Sequence, residues 1–196
     1  PTTIGLILLA KPILITLLQY KEFTPHDVNM TALSLVTFAG GLPAMIGSKI
    51  LISGYYARKD TRYPVKAALI AVIFNFVLNI LFVVYLTHIK FDGVHVGLAI
   101  ATSISAYINF FLLLKTALKT KIFILDHSIK QVFYKSTIAS IIMTVLILSF
   151  DLNSITWLNW TLLERIITLF SIILIATIQY FIFLFIFKIT PKNINN

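Results

Sequence analysis

The chain contains no cysteine among its 196 residues. That excludes disulfides, thiolate metal sites and lipid attachment through sulfur. Acidic groups are scarce, seven against sixteen Lys and Arg, and all seven stand in gaps between apolar stretches or at their ends. A paired-carboxylate centre inside an apolar stretch is therefore missing. Charged residues of both signs reach only 12% of the chain, where soluble proteins carry about a quarter. No Gly-rich phosphate loop, HExxH zinc motif, EF-hand loop or GxSxG elbow occurs. His26, His88, His95 and His127 lie in or beside loops without metal-ligand spacing. These absences argue against an enzyme, and no metal or cofactor is expected. A signal peptide is not visible either: residues 1–10 have no basic n-region and are followed by Lys11-Pro12. The chain does not open with Met and starts within an apolar stretch, so a longer protein with upstream segments is expected.

What is present is hydrophobicity, 59% of all residues. It falls into six apolar stretches, at 1–18, 30–55, 65–87, 94–114, 136–150 and 162–187. Most approach the length of about 20 residues that crosses a hydrocarbon core. The fifth is short and is expected to extend N-terminally through 132–135. The fold class expected is all-α, a polytopic transmembrane helix bundle of about six spans. Basic residues alternate from gap to gap. Arg58, Lys59, Arg62 and Lys66 fill the second gap, Lys115, Lys119, Lys121, Lys130 and Lys135 the fourth, and Lys188 and Lys192 the tail. Only Lys21, Lys90 and Arg165 occupy the other three. The positive-inside rule then sets the second gap, the fourth gap and the C-terminus in the cytoplasm, with the chain starting on that side. The formal charge of +9 is explained by loops beside anionic membrane lipid, and nucleic acid is not expected as a partner.

Several spans carry polar or kinking residues. Lys11-Pro12 interrupts the first, where a proline kinks a helix and a mid-bilayer ammonium costs about 2.5 kcal/mol or more. A kinked helix with a snorkelling lysine and a charge in a water-filled cavity both fit. Thr24-Pro25 suits the start of the next helix, Thr24 as cap. Gly40-Gly41-Leu42-Pro43 is a weak point in the second span, either a packing kink or a cavity-lining break. Lys49 either snorkels or faces a cavity. In the turn after it, Arg58 pairs with Asp60, or Asp60 or Thr61 caps the next helix, which opens just after Pro64. Asn75 and Asn79 share one helix face, as interhelical glue or cavity lining. Gly97, Ala101 and Ser105, with Ala99 and Ser103 alongside, form a small-residue packing face expected to meet helices outside this chain. Asn109 adds one more polar position. The segment after Lys115 mixes basic and apolar residues and suits the membrane surface. Trp157 and Trp160 are expected as interface anchors, and the last two spans as lipid-facing helices.

Three strings carry a family resemblance. The first is Lys11-Pro12-Ile13, Leu17-Leu18-Gln19-Tyr20, Phe23-Thr24, Asp27 and Met30-Thr31. The second runs from Gly41-Leu42 through Lys49-Ile50-Leu51 to Gly54-Tyr55-Tyr56-Ala57-Arg58-Lys59-Asp60-Thr61-Arg62-Tyr63-Pro64-Val65-Lys66. The third is Gly97-Leu98-Ala99-Ile100-Ala101-Thr102-Ser103 with Asn109. Together they resemble the MurJ/MviN lipid II flippases of the multidrug/oligosaccharidyl-lipid/polysaccharide exporter superfamily, over about 1–115. The last two spans match only in position and hydrophobicity. Lys21 stands where that family commonly has Gly, and Tyr63 where Thr is common.

The resemblance implies a fourteen-helix transporter of which this chain is the last six helices. Residues 1–117 would be four helices of the second lobe, 118–135 a cytoplasmic interfacial loop, 136–189 two additional helices, and 190–196 a polar cytoplasmic tail. It implies a multi-pass protein of the bacterial inner membrane that flips lipid II by alternating access. Its partners would be lipid II or a related polyprenyl diphosphate-linked glycan, membrane lipids, and the missing N-terminal helices. Lys11, Lys49, Asn75 and Asn79 are the cavity candidates, and Arg58, Asp60, Thr61 and Pro64 the candidates at the cytoplasmic turn or gate. The last two helices are the candidate groove for the lipid tail. Alternatives are a flippase or exporter for another polyprenyl-linked glycan or a drug, and a non-transporting scaffold. The scaffold predicts Lys11, Lys49, Asn75 and Asn79 all buried between helices.

Overall fold

Proline and helix-end chemistry decide where the apolar stretches become separate helices. The structure is a computed structural model and describes residues 1–19, 23–123 and 127–187. Its elements are α1 (Thr2–Leu8), α2 (Ala10–Leu18), α3 (Pro25–Ala57), α4 (Arg62–His88), α5 (Val94–Lys119), α6 (His127–Leu148), α7 (Ser154–Asn159) and α8 (Leu162–Ile186). Five segments are long and apolar enough to cross a membrane: α3, α4, α5, Ile129–Leu148 of α6, and α8. The expected Lys21, the centre of the 118–135 segment, and the tail with Lys188 and Lys192 lie outside the described residues.

The first expected span is a broken helix, α1 followed by α2. Pro12 has no N–H to give the Leu8 carbonyl, and its ring crowds that carbonyl. The break therefore falls at Leu9 (φ −94°, ψ 7°), a turn before the proline. Backbone bonds close on either side of it, Leu9 N–H to Gly5 O at 2.9 Å and Ile13 N–H to Leu9 O at 2.8 Å.

Thr24 starts α3 as expected. Its hydroxyl accepts from the Asp27 N–H at 3.3 Å, and the Asp27 carboxylate accepts from the Thr24 N–H at 2.9 Å. Two orphan N–H groups are thus satisfied reciprocally. The weak point at 40–43 does not break α3, which runs through Pro43 as one helix of 33 residues. Helix α5 supports it there: Ser103 Oγ donates to Thr37 O at 2.7 Å and Tyr107 OH to Gly40 O at 3.0 Å. Gly41 lies flush on Ser103; a Cβ at Gly41 would sit 2.7 Å from Ser103 Oγ and 3.0 Å from its Cα. The pairs 37–103, 40–107 and 55–113 advance together, so α3 and α5 run parallel.

The small-residue face of α5 does not await outside helices, contrary to expectation. Gly97 lies against α4, where a Cβ would meet Phe82 and Leu86 at 2.9 Å. Ala101, one turn on, is fully buried. The strip containing Ser103 faces α3 instead, so both small strips are used within the unit that α4, α5 and α3 from Asn29 onward build. Its three helices end alike. Lys59, Lys90 and Lys121 have positive φ (59°, 54° and 53°), the left-handed position after a helix that glycine usually fills. The following N–H groups reach back to Tyr55, Leu86 and Ala117 carbonyls at 3.1, 2.9 and 2.9 Å.

The other unit gathers α1, α2, α6, α7 and α8. Helix α6 extends the fifth span even further upstream than 132–135, to His127. It is tied to α8 by Ser136 Oγ and Tyr180 OH, 2.8 Å apart, and by Lys135 Nζ donating to Phe187 O at 3.0 Å. Between α6 and α8, Asn153 caps α7, and Thr161 with Glu164 forms a capping box on α8. The Asn153 N–H and the Thr156 hydroxyl hold the Asp151 carboxyl below its usual range. Trp157 is not an interface anchor: it is fully buried, its indole N–H donating to Asp151 O at 2.9 Å.

Candidate functional site

The turn between α3 and α4 brings most of the candidate residues together. Asp60 does not pair with Arg58. Its carboxylate accepts from the backbone N–H groups of Arg62 (3.1 Å) and Tyr63 (3.3 Å), the first two of α4. Those groups would otherwise be orphans, and a carboxylate there suits the helix dipole. The cap explains why α4 opens at Arg62, before Pro64. Thr61 occupies the N-cap position but makes no side-chain cap bond. Pro64 is buried in the first turn, where a missing N–H costs nothing.

Freed from Asp60, the Arg58 guanidinium reaches the end of α5. It donates to Thr120 O at 3.1 Å and to Lys121 O at 2.6 Å. Two tyrosines reinforce the same contact. Tyr55 OH donates to Leu113 O at 2.9 Å and Tyr63 OH to Leu112 O at 3.0 Å, the rings stacked 5.6 Å apart. The available signal in the sequence was a tyrosine on each flank of a charged turn, which suits a pair closing over a neighbouring helix.

The other cavity candidates lie apart from this turn. Asn79 Nδ2 donates to Asn75 Oδ1 at 3.0 Å, and Asn75 Nδ2 lies 3.4 Å from Thr102 Oγ1 of α5. Both asparagines are half-buried. They bridge α4 to α5, yet Asn79 Oδ1 is enclosed with no partner among the described residues. Lys11 and Lys49 are exposed on this chain. The structure thus unites Arg58, Asp60, Thr61 and Pro64 at one turn, and Asn75 with Asn79, but leaves the two lysines on separate units.

An apolar cavity of about 300 Å³ opens in the unit of α1, α2, α6 and α8. Gly5, Leu9, Ile13, Met143, Ile147 and Ala176 are among its walls. The space beside Gly5 is open, with nothing within 4 Å of where a Cβ would point. Thr2, Thr177 and Tyr180 are its polar exceptions, and the walls offer chiefly dispersion contact to a hydrocarbon chain. The sequence reading named the last two helices for this role and missed the share of the broken first helix. Arg165 was also missed. It fans three bonds to Trp160 O (3.1 Å), Leu158 O (2.9 Å) and Ile15 O (3.4 Å), joining α8, α7 and the last turn of α2.

A family model described as lipid II flippase MurJ matches residues 1–180. The chain belongs to that family. Among similar proteins, the probable lipid II flippase MurJ of Vibrio cholerae is 34% identical over 195 residues, 99% of this chain and 36% of that protein. The Haemophilus influenzae protein of the same description is 34% identical over 180 residues, 92% of this chain and 34% of its own. One from Buchnera aphidicola is 33% identical over 194 residues, 98% of this chain and 36% of its own. The chain thus spans about a third of the length of these curated relatives. The likeness reaches past 115 into α6 and α8, further than the three strings carried it. MurJ membership and five apolar helices of spanning length make this a multi-pass membrane protein.

Proposed function

We propose that these residues are the last part of a bacterial flippase that carries lipid II outward across the inner membrane by alternating access. The observation that carries this reading is the match to the MurJ flippase model along almost the whole chain. In transporter order, α1 to α5 supply helices of the second lobe, the short segment between α5 and α6 an interfacial connection in place of a loop over 118–135, and α6 with α8 the additional pair before a tail at 190–196. The basic turn at Arg58, the fourth gap and the C-terminus face the cytoplasm, by the alternation of charge. Helices upstream of Pro1 complete the cavity.

Lipid II joins an anionic diphosphate and sugar-peptide head to a long polyprenyl tail. Lys11 and Lys49, both exposed, are offered to the head group, with Asn75 and Asn79 as polar lining. The 300 Å³ apolar cavity between the broken helix and the last pair is offered to the tail. A non-transporting scaffold needs Lys11, Lys49, Asn75 and Asn79 buried between helices, and labelling of cysteines at those positions from water in the complete protein separates the two readings. The test is rescue of cells depleted of their lipid II flippase by the complete protein. Rescue with wild-type growth is expected. Failure, with normal accumulation in the membrane, would favour another polyprenyl-linked glycan or a drug as cargo.

A further inference from the structure

We propose that the Arg58 end of the α3–α4–α5 unit is a joint that stays closed throughout the transport cycle, with Arg58 as its positioning residue. Access then changes around this unit and not between its helices. The proposal rests on the flippase reading above and says which part of the machine does not move. Its first support is that three side chains of the α3–α4 hairpin donate to the backbone of one other helix. Tyr63 and Tyr55 hold the Leu112 and Leu113 carbonyls, and Arg58 holds those of Thr120 and Lys121. Anchors at 112–113 and at 120–121 are about two turns apart, so α5 can neither tilt nor slide without breaking one set.

Beneath these bonds lies a buried cluster of Leu51, Tyr55, Ala67, Leu113 and Ala117, drawn from all three helices. Asp60 fixes the hairpin itself by capping α4. Parting the helices would strip the buried Tyr55 phenol and the half-buried Tyr63 phenol of their acceptors beside apolar side chains, while the exposed Arg58 guanidinium would exchange its two carbonyls for water. At the far end of the unit the close neighbours of Gly93 and Gly97 are Met30, Phe82, Leu86, Phe91 and Val96. Apolar side chains of that kind carry no directional bond and repack as helices shift.

The absence of cysteine from the chain makes a direct test practical. A Cβ at Gly54 would lie 3.2 Å from Ile122 Cγ2. Ile122 Cβ is one bond from that Cγ2 and more than 4 Å from the Gly54 Cβ position, which puts a cysteine pair near the upper end of the Cβ separation of about 3.5–4.5 Å that a disulfide needs. In the complete protein, Gly54→Cys with Ile122→Cys is oxidised in membrane vesicles and translocation of labelled lipid-linked precursor is followed. Oxidised and reduced forms are expected to transport alike, within about twofold. Arg58→Ala is expected to lower transport about tenfold, as two charge-assisted bonds are lost, and the disulfide should restore it. A purely local folding role would not be rescued by oxidation and lost again on reduction.

Transport that stops on oxidation and returns on reduction would overturn the proposal, as would an Arg58→Ala defect the disulfide cannot mend. Should the cysteine pair prevent accumulation, amide hydrogen exchange over 117–123 in the unaltered protein decides the matter. Exchange that stays slow while precursor is transported is expected, and acceleration during transport overturns the joint. Failure of the unaltered protein to transport at all would count against the flippase reading instead, and the exchange measurement would still report the joint.

Discussion

At the scale of single residues, the basic side chains do more than set orientation. Arg58, Arg165 and Lys135 each donate to carbonyls at the end of a helix other than their own. Four carbonyls at every helix C-terminus lack intrahelical partners, and cations there also suit the dipole. This accounts for Arg165, the exception in a gap otherwise free of basic residues: its charge is spent on three carbonyls. Arg165→Gln should lower the stability of the complete protein by about 1–3 kcal/mol, because carbonyls lose a charge-assisted donor. A thermal-unfolding midpoint equal to wild type would show that the fan contributes nothing. Asp60 invites a second substitution. Its cap on α4 is local, so Asp60→Ala should cost about 0.5–2 kcal/mol and reduce accumulation or activity. Orientation should hold, because acidic residues add little to the positive-inside bias. Reporter fusions on the flanking loops check orientation, and membrane abundance checks the rest. Asp60→Asn, which keeps an acceptor oxygen, should be milder.

Whole elements were legible in the sequence where a single strong signal governed them. Hydropathy placed the spans, and Thr24-Pro25 placed the start of α3. Less legible was anything decided by a partner distant in sequence. Residues 40–43 read as a weak point, yet α3 passes through them intact because Ser103 and Tyr107 bond its carbonyls. The first span reads as kinked at Lys11-Pro12, whereas the break lies at Leu9, next to the Leu8 carbonyl that the proline ring opposes. Trp157 read as an anchor because burial beneath a six-residue helix leaves no periodic trace. Among the site candidates, the cap by Asp60 was foreseen as one of two options; the use of Arg58 was not, since its acceptors lie 62 and 63 residues away. Glycines sort the same way. Gly41→Ala should force α3 and α5 apart, since the new Cβ would meet the Ser103 backbone at 3.0 Å, and cost about 1–3 kcal/mol. Gly5→Ala points into open space and should be neutral to slightly stabilising in the same thermal-unfolding assay. Equal effects at the two sites would refute the close approach of α3 and α5.

At the scale of the molecule, helices α3–α5 close their small-residue faces on one another, so incompleteness is not written in that packing. In α4 one side meets α5 and large apolar residues from Leu69 to Val84 stand exposed, Val72 at 64%, Phe76 at 66% and Leu81 at 58%. Lipid alone can cover such a surface, so exposure by itself does not demand further helices. The polar candidates make the stronger case. Under the proposed function a head group bearing a diphosphate and sugars crosses apolar depth, and that calls for a closed ring of polar and cationic side chains. In that reading Lys11, from one unit, and Lys49, Asn75 and Asn79, from the other, would supply only part of such a ring. Relatives about three times as long have room for the remainder of the ring. Residues 1–196 alone, reconstituted in liposomes, should therefore insert as helices and yet move no lipid-linked precursor, while the complete protein does. Circular dichroism reads the first outcome, and protection of a fluorescent precursor from an external quencher reads the second. Translocation by the 196-residue chain above the rate of protein-free liposomes would mean that these residues suffice, and the upstream helices would lose their place in the cavity.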